Sequence, residues 1–302
     1  MNPYVILCIQ LLLSGGNYII ANSATQTIPP VNLTFLRTVI SGIIYLLYMF
    51  YAGLPFKYKG RDLTLLLFLS LLSVSLNQLG FLYGMKYTTA TEGALLYAIT
   101  PVIVLFLSRA YLKEKITFTR IVGAILAFAG VVIIVLSKGS LGENGTRPGS
   151  THLKGDLLIF MAVIAWAIYT ALGRKLVVKY GAINSTVFTA LIGSAMFAPV
   201  GIWTSVGYNY LSLTSGQWME VLYLSLGTSI AGYVLWYYAL SKIEASKVAV
   251  FTNGQPVVTA ILAYVFLGQG ITLTFALAAL VTISGVVITQ LDFFKKRSVA
   301  KS

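Results

Sequence analysis

The sequence predicts an all-α integral membrane protein with ten transmembrane helices, arranged as two inverted five-helix repeats. Three observations predict it. Hydrophobic residues make up 58% of the 302 positions and charged residues 10%, with a mean hydropathy of +0.86, more apolar surface than a water-soluble domain of this length can hide. The chain is also written twice. A shift of 155 residues lays Ala90 to Ile133 over Ala245 to Ile288 without a gap, with 14 of 44 positions identical, among them Pro101 over Pro256 and Gly130-Val131-Val132-Ile133 over Gly285-Val286-Val287-Ile288. Finally, each copy holds five apolar runs. An odd number of crossings makes the second copy start from the opposite side of the bilayer, the build of many carriers that open alternately to either face.

Each run approaches the roughly 20 residues that cross a hydrocarbon core about 30 Å thick. The first, 3 to 22, follows no basic n-region and holds no small-residue cleavage site, so it reads as a retained helix rather than a secretory signal. Thr27-Ile28-Pro29-Pro30 breaks the chain before the second run, 32 to 52, and Leu54-Pro55-Phe56-Lys57 ends it. The third run spans 63 to 85 and the fourth 91 to 111; Lys113-Glu114-Lys115 then separates the fifth, 118 to 137, and reads as an interface anchor. Ser137 to Lys154 carries Gly139, Gly142, Gly145 and Pro148 among charged residues. It divides the chain into a first repeat at 1–137, a linker at 138–154 and a second repeat with a basic tail at 155–302. That second copy repeats the series at 155 to 176, 184 to 205, 217 to 240, 246 to 267 and 272 to 293, with a turn at Val206-Gly207-Tyr208-Asn209.

The 21 Lys and Arg residues set the orientation. Those at 57–61, 109–120, 174–179 and 242–247 and in the tail fall on one side, leaving Lys86, Lys138, Arg147 and Lys154 on the other and Arg37 inside a span. The positive-inside rule then places both termini in the cytoplasm, in a multi-pass protein of the cell membrane. The net charge of +13 is thus spread over cytoplasmic loops, which argues against a nucleic-acid partner; the expected partners are a small-molecule substrate and membrane lipid, with the chain a monomer or homodimer. Cys8 is the single cysteine and His152 the single histidine, so neither a disulfide nor a multi-cysteine metal site is expected, and no cofactor.

Residues three and four apart on a helix share a face. Gln10, Ser14, Asn17 and Ala21 do so in the first run, matched by Ala162, Trp166, Tyr169 and Gly173 in the sixth. Ser70, Ser73, Asn77, Gly80 and Gly84 form a polar, small-residue stripe in the third; Ser225, Thr228, Gly232 and Ala239, with Trp236 beside them, match it in the eighth. Small and hydroxylated residues are the usual contact surface between membrane helices, so Ser and Gly read first as packing. Asn17, Asn77, Trp166, Tyr169 and Trp236 are too polar or too bulky for that and read as cavity lining. Pro101 and Pro256 lie mid-span, where proline cannot donate to the preceding turn and leaves carbonyls needing other partners. Asn253 and Gln255, and Tyr97 in the first copy, are therefore further candidates for a midplane site.

Ionisable groups within a membrane are costly and usually functional. Arg37, a turn and a half into the second run, and Glu92, at the start of the fourth, form a possible coupling pair; Arg37 could instead snorkel outward, and Glu92 could be a solvated helix start. With no carboxylate near a midplane, exchange down a gradient or coupling through Glu92 is expected. No nucleophile, base and orienting group occur together, so the chain is read as not an enzyme. A non-transporting alternative, a lipid-acting enzyme or an assembly scaffold, is opposed by that absence and by the duplicated polar stripe.

Gly15-Gly16-Asn17-Tyr18, Pro29-Pro30 and Leu36-Arg37, followed by Thr88-Thr89-Ala90, Pro101, Leu112-Lys113-Glu114-Lys115-Ile116-Thr117, Gly123 and Gly130, resemble the paired EamA domains of the drug/metabolite transporter superfamily. The resemblance covers nearly the whole chain and departs at Ser14, Asn22 and Gln269, where tryptophan, lysine and a repeat of Glu114 would stand. It implies a ten-helix carrier of small organic metabolites, commonly an exporter. The aromatic lining and single embedded arginine favour amino acids or similar neutral or zwitterionic compounds with an apolar part, moved by alternating access.

Overall fold

The computed structural model describes residues 2–87, 90–139, 150–267 and 273–299. Among them the regular structure is helical: α1 (Pro3–Thr27), α2 (Pro30–Tyr51), α3 (Arg61–Tyr87), α4 (Ala90–Tyr97), α5 (Thr100–Leu112), α6 (Phe118–Gly139), α7 (Ser150–Tyr180), α8 (Ala182–Ser205), α9 (Ser215–Lys242), α10 (Ala245–Ala249), α11 (Gln255–Leu267) and α12 (Leu273–Val299). Six of these, α1, α2, α3, α7 (over Lys154–Tyr180), α8 and α9, are long and apolar enough to cross a membrane. Their outer faces are apolar. Leu12, Leu47, Phe50, Met161 and Val200 turn outward and are more than half exposed, an arrangement suited to lipid rather than water.

Local signals set the ends. Asn2 caps α1 by accepting from the Tyr4 amide, and Pro3 and Pro30 occupy first-turn positions of α1 and α2, where a missing N–H costs nothing. Thr214 and Gln217 form a reciprocal capping box at the start of α9. Gly60 and Gly181 precede α3 and α8 with φ of +52° and +88°, a region glycine enters without strain. The helices are longer than the apolar runs: α1 continues past residue 22 to Thr27, and α6 and α7 extend from both sides into the expected linker, whose residues 140–149 lie outside the described ones.

Two irregularities recur at the repeat distance. The fourth and ninth runs, expected as single helices, are each interrupted. Ala98 and Ile99 separate α4 from α5, and a 3₁₀ segment, Val250–Gly254, separates α10 from α11. In both places a new α-helix begins one residue before the repeated proline, at Thr100 and at Gln255. The proline thus sits in a first turn and clashes with no preceding one. α3 contains a π-helical stretch at Leu72–Gln78 and α9 one at Tyr223–Gly232; such wide turns commonly mark functional sites.

Contacts exchange in the same way. α2 packs on α8 and α6 on α12, while α3 packs on α7 as α9 does on α1, and α5 packs on α7 as α11 does on α1. Swapping the two copies maps this set onto itself. α6 and α12 pack closely through small residues, Gly123 and Gly130 facing Ala278, Thr282 and Gly285. A β-carbon on Gly285 would lie 2.3 Å from the Ala127 amide nitrogen, and one on Gly130 would lie 2.7 Å from the Ala278 carbonyl oxygen.

One end of the bundle gathers the basic segments. Lys179 and Tyr180 reach Asp62, Tyr58 donates to Asn184, and Arg120 pairs with Glu244, itself 3.2 Å from Lys247. Glu114 departs from the anchor reading of Lys113-Glu114-Lys115. It is 6% exposed, accepts from the Ala245 and Ser246 amides and the Ser246 hydroxyl, and lies 3.5 Å from Arg174. A carboxylate of the first copy thereby caps a helix of the second.

Candidate functional site

Seven helices converge on a cavity with at most about 580 Å³ of empty space, its mouth included. α1 contributes Gln10, Ser14, Asn17 and Tyr18, spaced so that one face of a regular helix presents them together. Arg37 enters from α2, Asn77, Gln78 and Phe81 from α3, and Tyr97 from the last turn of α4. α7 supplies Trp166, α9 supplies Thr228, Gly232 and Tyr233, and α11 supplies Gln255 in its first turn. Both copies build the wall.

Hydrogen bonds across helices hold the polar groups in place. Asn77 is the hub: its Nδ2 donates to the Tyr97 hydroxyl at 2.8 Å and to the Ala162 carbonyl at 3.0 Å, while its Oδ1 accepts from Tyr233 at 3.2 Å. Tyr18 donates to Gln255 Oε1 at 2.8 Å, and Gln10 to Ser14 at 2.7 Å. Tyr18, Phe81 and Tyr97 meet edge to face with centroids 5.6 to 6.0 Å apart, a mutually attractive geometry that also stiffens the wall. On the other side Trp166 contacts Tyr233 edge to face at 5.4 Å.

Arg37 does not snorkel. It is 3% exposed, and its Nε and Nη2 donate to the Ser229 hydroxyl at 3.3 and 3.0 Å, with Nη2 also 2.9 Å from the Thr228 hydroxyl. Those acceptors lie on the π-helical stretch of α9, so the second copy holds the guanidinium of the first. The Glu92 side chain lies outside the described residues, so its suggested pairing with Arg37 falls there too.

Of the residues singled out from the sequence, Asn17, Asn77, Tyr97, Trp166, Gln255 and Arg37 meet in this cavity. Tyr169, Trp236 and Asn253 do not line it. Tyr169 stacks between Trp166 and Tyr237, with centroids 5.5 and 4.7 Å away, and Trp236 is fully buried with its indole N–H on the Thr170 hydroxyl. Asn253 is buried in the 3₁₀ segment, its two amide atoms without a hydrogen bond among the described residues. Tyr18, Gln78, Phe81 and Tyr233 line the cavity without having been singled out. Gln78 and Tyr233 stand at the ends of the π-helical stretches, where the face that 3.6 residues per turn predicts is rotated.

The site offers aromatic faces, amides and one cation. No Asp or Glu is among the described lining residues.

Comparison with known proteins agrees with the bundle. The EamA-like transporter family matches residues 1–136 and 153–291. The chain is 30% identical to an uncharacterized transporter, YetK, of Bacillus subtilis over 96% of this chain and 87% of that protein. It is 29% identical to an uncharacterized transporter of Archaeoglobus fulgidus, over 95% and 96% of the two chains. A solved structure described only as the crystal structure of a protein superposes with a TM-score of 0.76 at 18% identity, covering 96% of each chain, and shares the fold.

Proposed function

We propose, from the premise that this chain belongs to the EamA-like transporter family, that it carries amino acids or similar neutral or zwitterionic metabolites across the cell membrane by alternating access, in the direction of export. The observation that carries this reading is the cavity itself: a polar, aromatic chamber built by both copies within an otherwise apolar bundle. Its volume bounds the cargo to a small molecule, and a single guanidinium among amides and rings leaves a multiply charged cargo largely uncompensated.

The same proposal takes the bundle as ten spans in two inverted repeats with both termini cytoplasmic. The self-mapping helix contacts, the twinned breaks before Pro101 and Pro256 and the two-segment family match support it. Arg37 and Glu92 remain the proposed coupling groups, with substrate exchange able to proceed without a proton gradient.

Cysteine labelling tests the inversion directly. Lys59 and Ser212 are exposed and occupy loops that correspond to each other in the two copies. With Cys8 replaced by Ser, Lys59→Cys and Lys242→Cys are expected to react with an impermeant thiol reagent only from the cytoplasm, and Ser212→Cys only from outside. Labelling of all three from one face contradicts the inverted repeat.

A further inference from the structure

Among the described residues, Arg37 is a buried cation that meets only neutral partners. Among the described residues no carboxylate pairs with it; its hydrogen bonds go to two neutral hydroxyls, Thr228 and Ser229, and use Nε and Nη2. Nη1 makes none among the described residues, on a side chain 3% exposed that lines the cavity. A lone buried charge is strongly unfavourable until an opposite charge meets it, and the planar guanidinium fork matches a carboxylate better than any other simple anion.

The cavity lining holds two more unsatisfied groups, of the opposite polarity. Asn17 Oδ1 and Gln78 Oε1 are buried acceptors without a hydrogen-bond donor among the described residues, and both residues line the cavity. Buried acceptors left unmet are costly and rare. An amide oxygen accepts from N–H groups without itself carrying charge.

We propose that the cavity is a two-pole receptor for an α-amino acid, with Arg37 taking the carboxylate and Asn17 Oδ1 and Gln78 Oε1 taking the ammonium group. This rests on the transport reading above and deepens it. A plain monocarboxylate meets Arg37 but leaves both amide oxygens without donors, and an amine without a carboxylate leaves the guanidinium unpaired. The net charge of the cavity is +1 whether it holds the zwitterion or is empty, but only the filled form pairs the guanidinium at short range. The rings of Tyr18, Phe81, Tyr97 and Trp166 remain to cover the apolar side chain.

The test is equilibrium binding to the purified full chain in detergent, by calorimetry, for each of the twenty common amino acids. The tightest binder is then compared with its carboxamide and with the carboxylic acid that lacks its amine. Both analogues are expected to bind at least tenfold more weakly to the unaltered protein. Arg37→Lys, which keeps the charge but loses the fork, is expected to weaken the amino acid at least tenfold and to narrow the gap between acid and carboxamide. Equal binding of acid and carboxamide, equal binding of the deaminated acid, or no binding by any of the twenty overturns the assignment. The analogue comparison stands even where a variant folds poorly. A protein that binds as expected yet exchanges nothing across vesicles sinks the transport reading and leaves the two-pole site in place.

Discussion

Gly285→Leu is expected to prevent recovery of folded, monodisperse protein, and Gly285→Ala to lower thermal stability clearly. The β-carbon alone would come to 2.3 Å from the Ala127 nitrogen and 2.6 Å from the Gly123 carbonyl oxygen. Both neighbours are backbone, so relief requires the two helix axes to separate rather than a rotamer to move. Overpacking in a close-packed interior typically costs ~1–3 kcal/mol and more where backbone must shift. In lipid there is little hydrophobic gain to offset it, because membrane helices associate chiefly through close van der Waals contact at small residues. The loss extends along the interface, since Gly123 and Gly130 make equally close approaches on the facing helix. Gly42→Ala is the control. Its nearest neighbour would be the Ser194 hydroxyl at 3.7 Å, an ordinary contact, so size-exclusion profile and Tm should stay near those of the parent.

The second large effect is on transport. Asn77→Leu keeps approximate side-chain volume while deleting the amide that joins α3 to Tyr97 of α4, the Ala162 carbonyl of α7 and Tyr233 of α9. It leaves the Tyr97 hydroxyl without its Asn77 donor and Tyr233 with only its 3.4 Å bond to the Ser73 carbonyl, an unmet buried group costing on the order of 1–3 kcal/mol. A distortion worth only about 1.4 kcal/mol in binding or in the carrier's conformational equilibrium changes the rate tenfold. Exchange is therefore expected to fall at least tenfold at equal amounts of folded protein. Trp236→Phe removes a buried indole bond outside the cavity and is expected to leave exchange within about twofold, even where Tm declines. Equal losses in both variants would mean that packing, not cavity lining, sets the rate.

How far the sequence anticipated this site depends on helix regularity. On α1 the spacing of Gln10, Ser14 and Asn17 was enough to bring them to one face of the cavity, because that helix is regular from Pro3 to Thr27. On α3 and α9 the same argument works only in part. Asn77, Thr228 and Gly232 fall where periodicity puts them, but the π-helical turns rotate the later residues, so Gln78 and Tyr233 enter the cavity while Trp236 packs against Thr170. No residue pattern in those stretches announces a five-residue turn. The repeated prolines fall at the breaks in the fourth and ninth runs, and only the structure separates Gln255, which opens a helix into the cavity, from Asn253 two residues earlier. Glu114 illustrates the opposite limit. A Lys-Glu-Lys triplet beside an apolar run reads as a solvated anchor, and its burial depends on Ala245 and Ser246, more than a hundred residues away.

Counterflow in proteoliposomes tests the central claim, that this cavity carries a small zwitterion across the membrane. Vesicles loaded with an unlabelled mixture of the twenty amino acids are diluted into trace labelled amino acid, one at a time, with the proton gradient collapsed. The account predicts saturable accumulation of label, above protein-free vesicles, for at least one amino acid, and its loss in Asn77→Leu. Label no higher than in protein-free vesicles for every amino acid, with the protein folded and inserted, would contradict it.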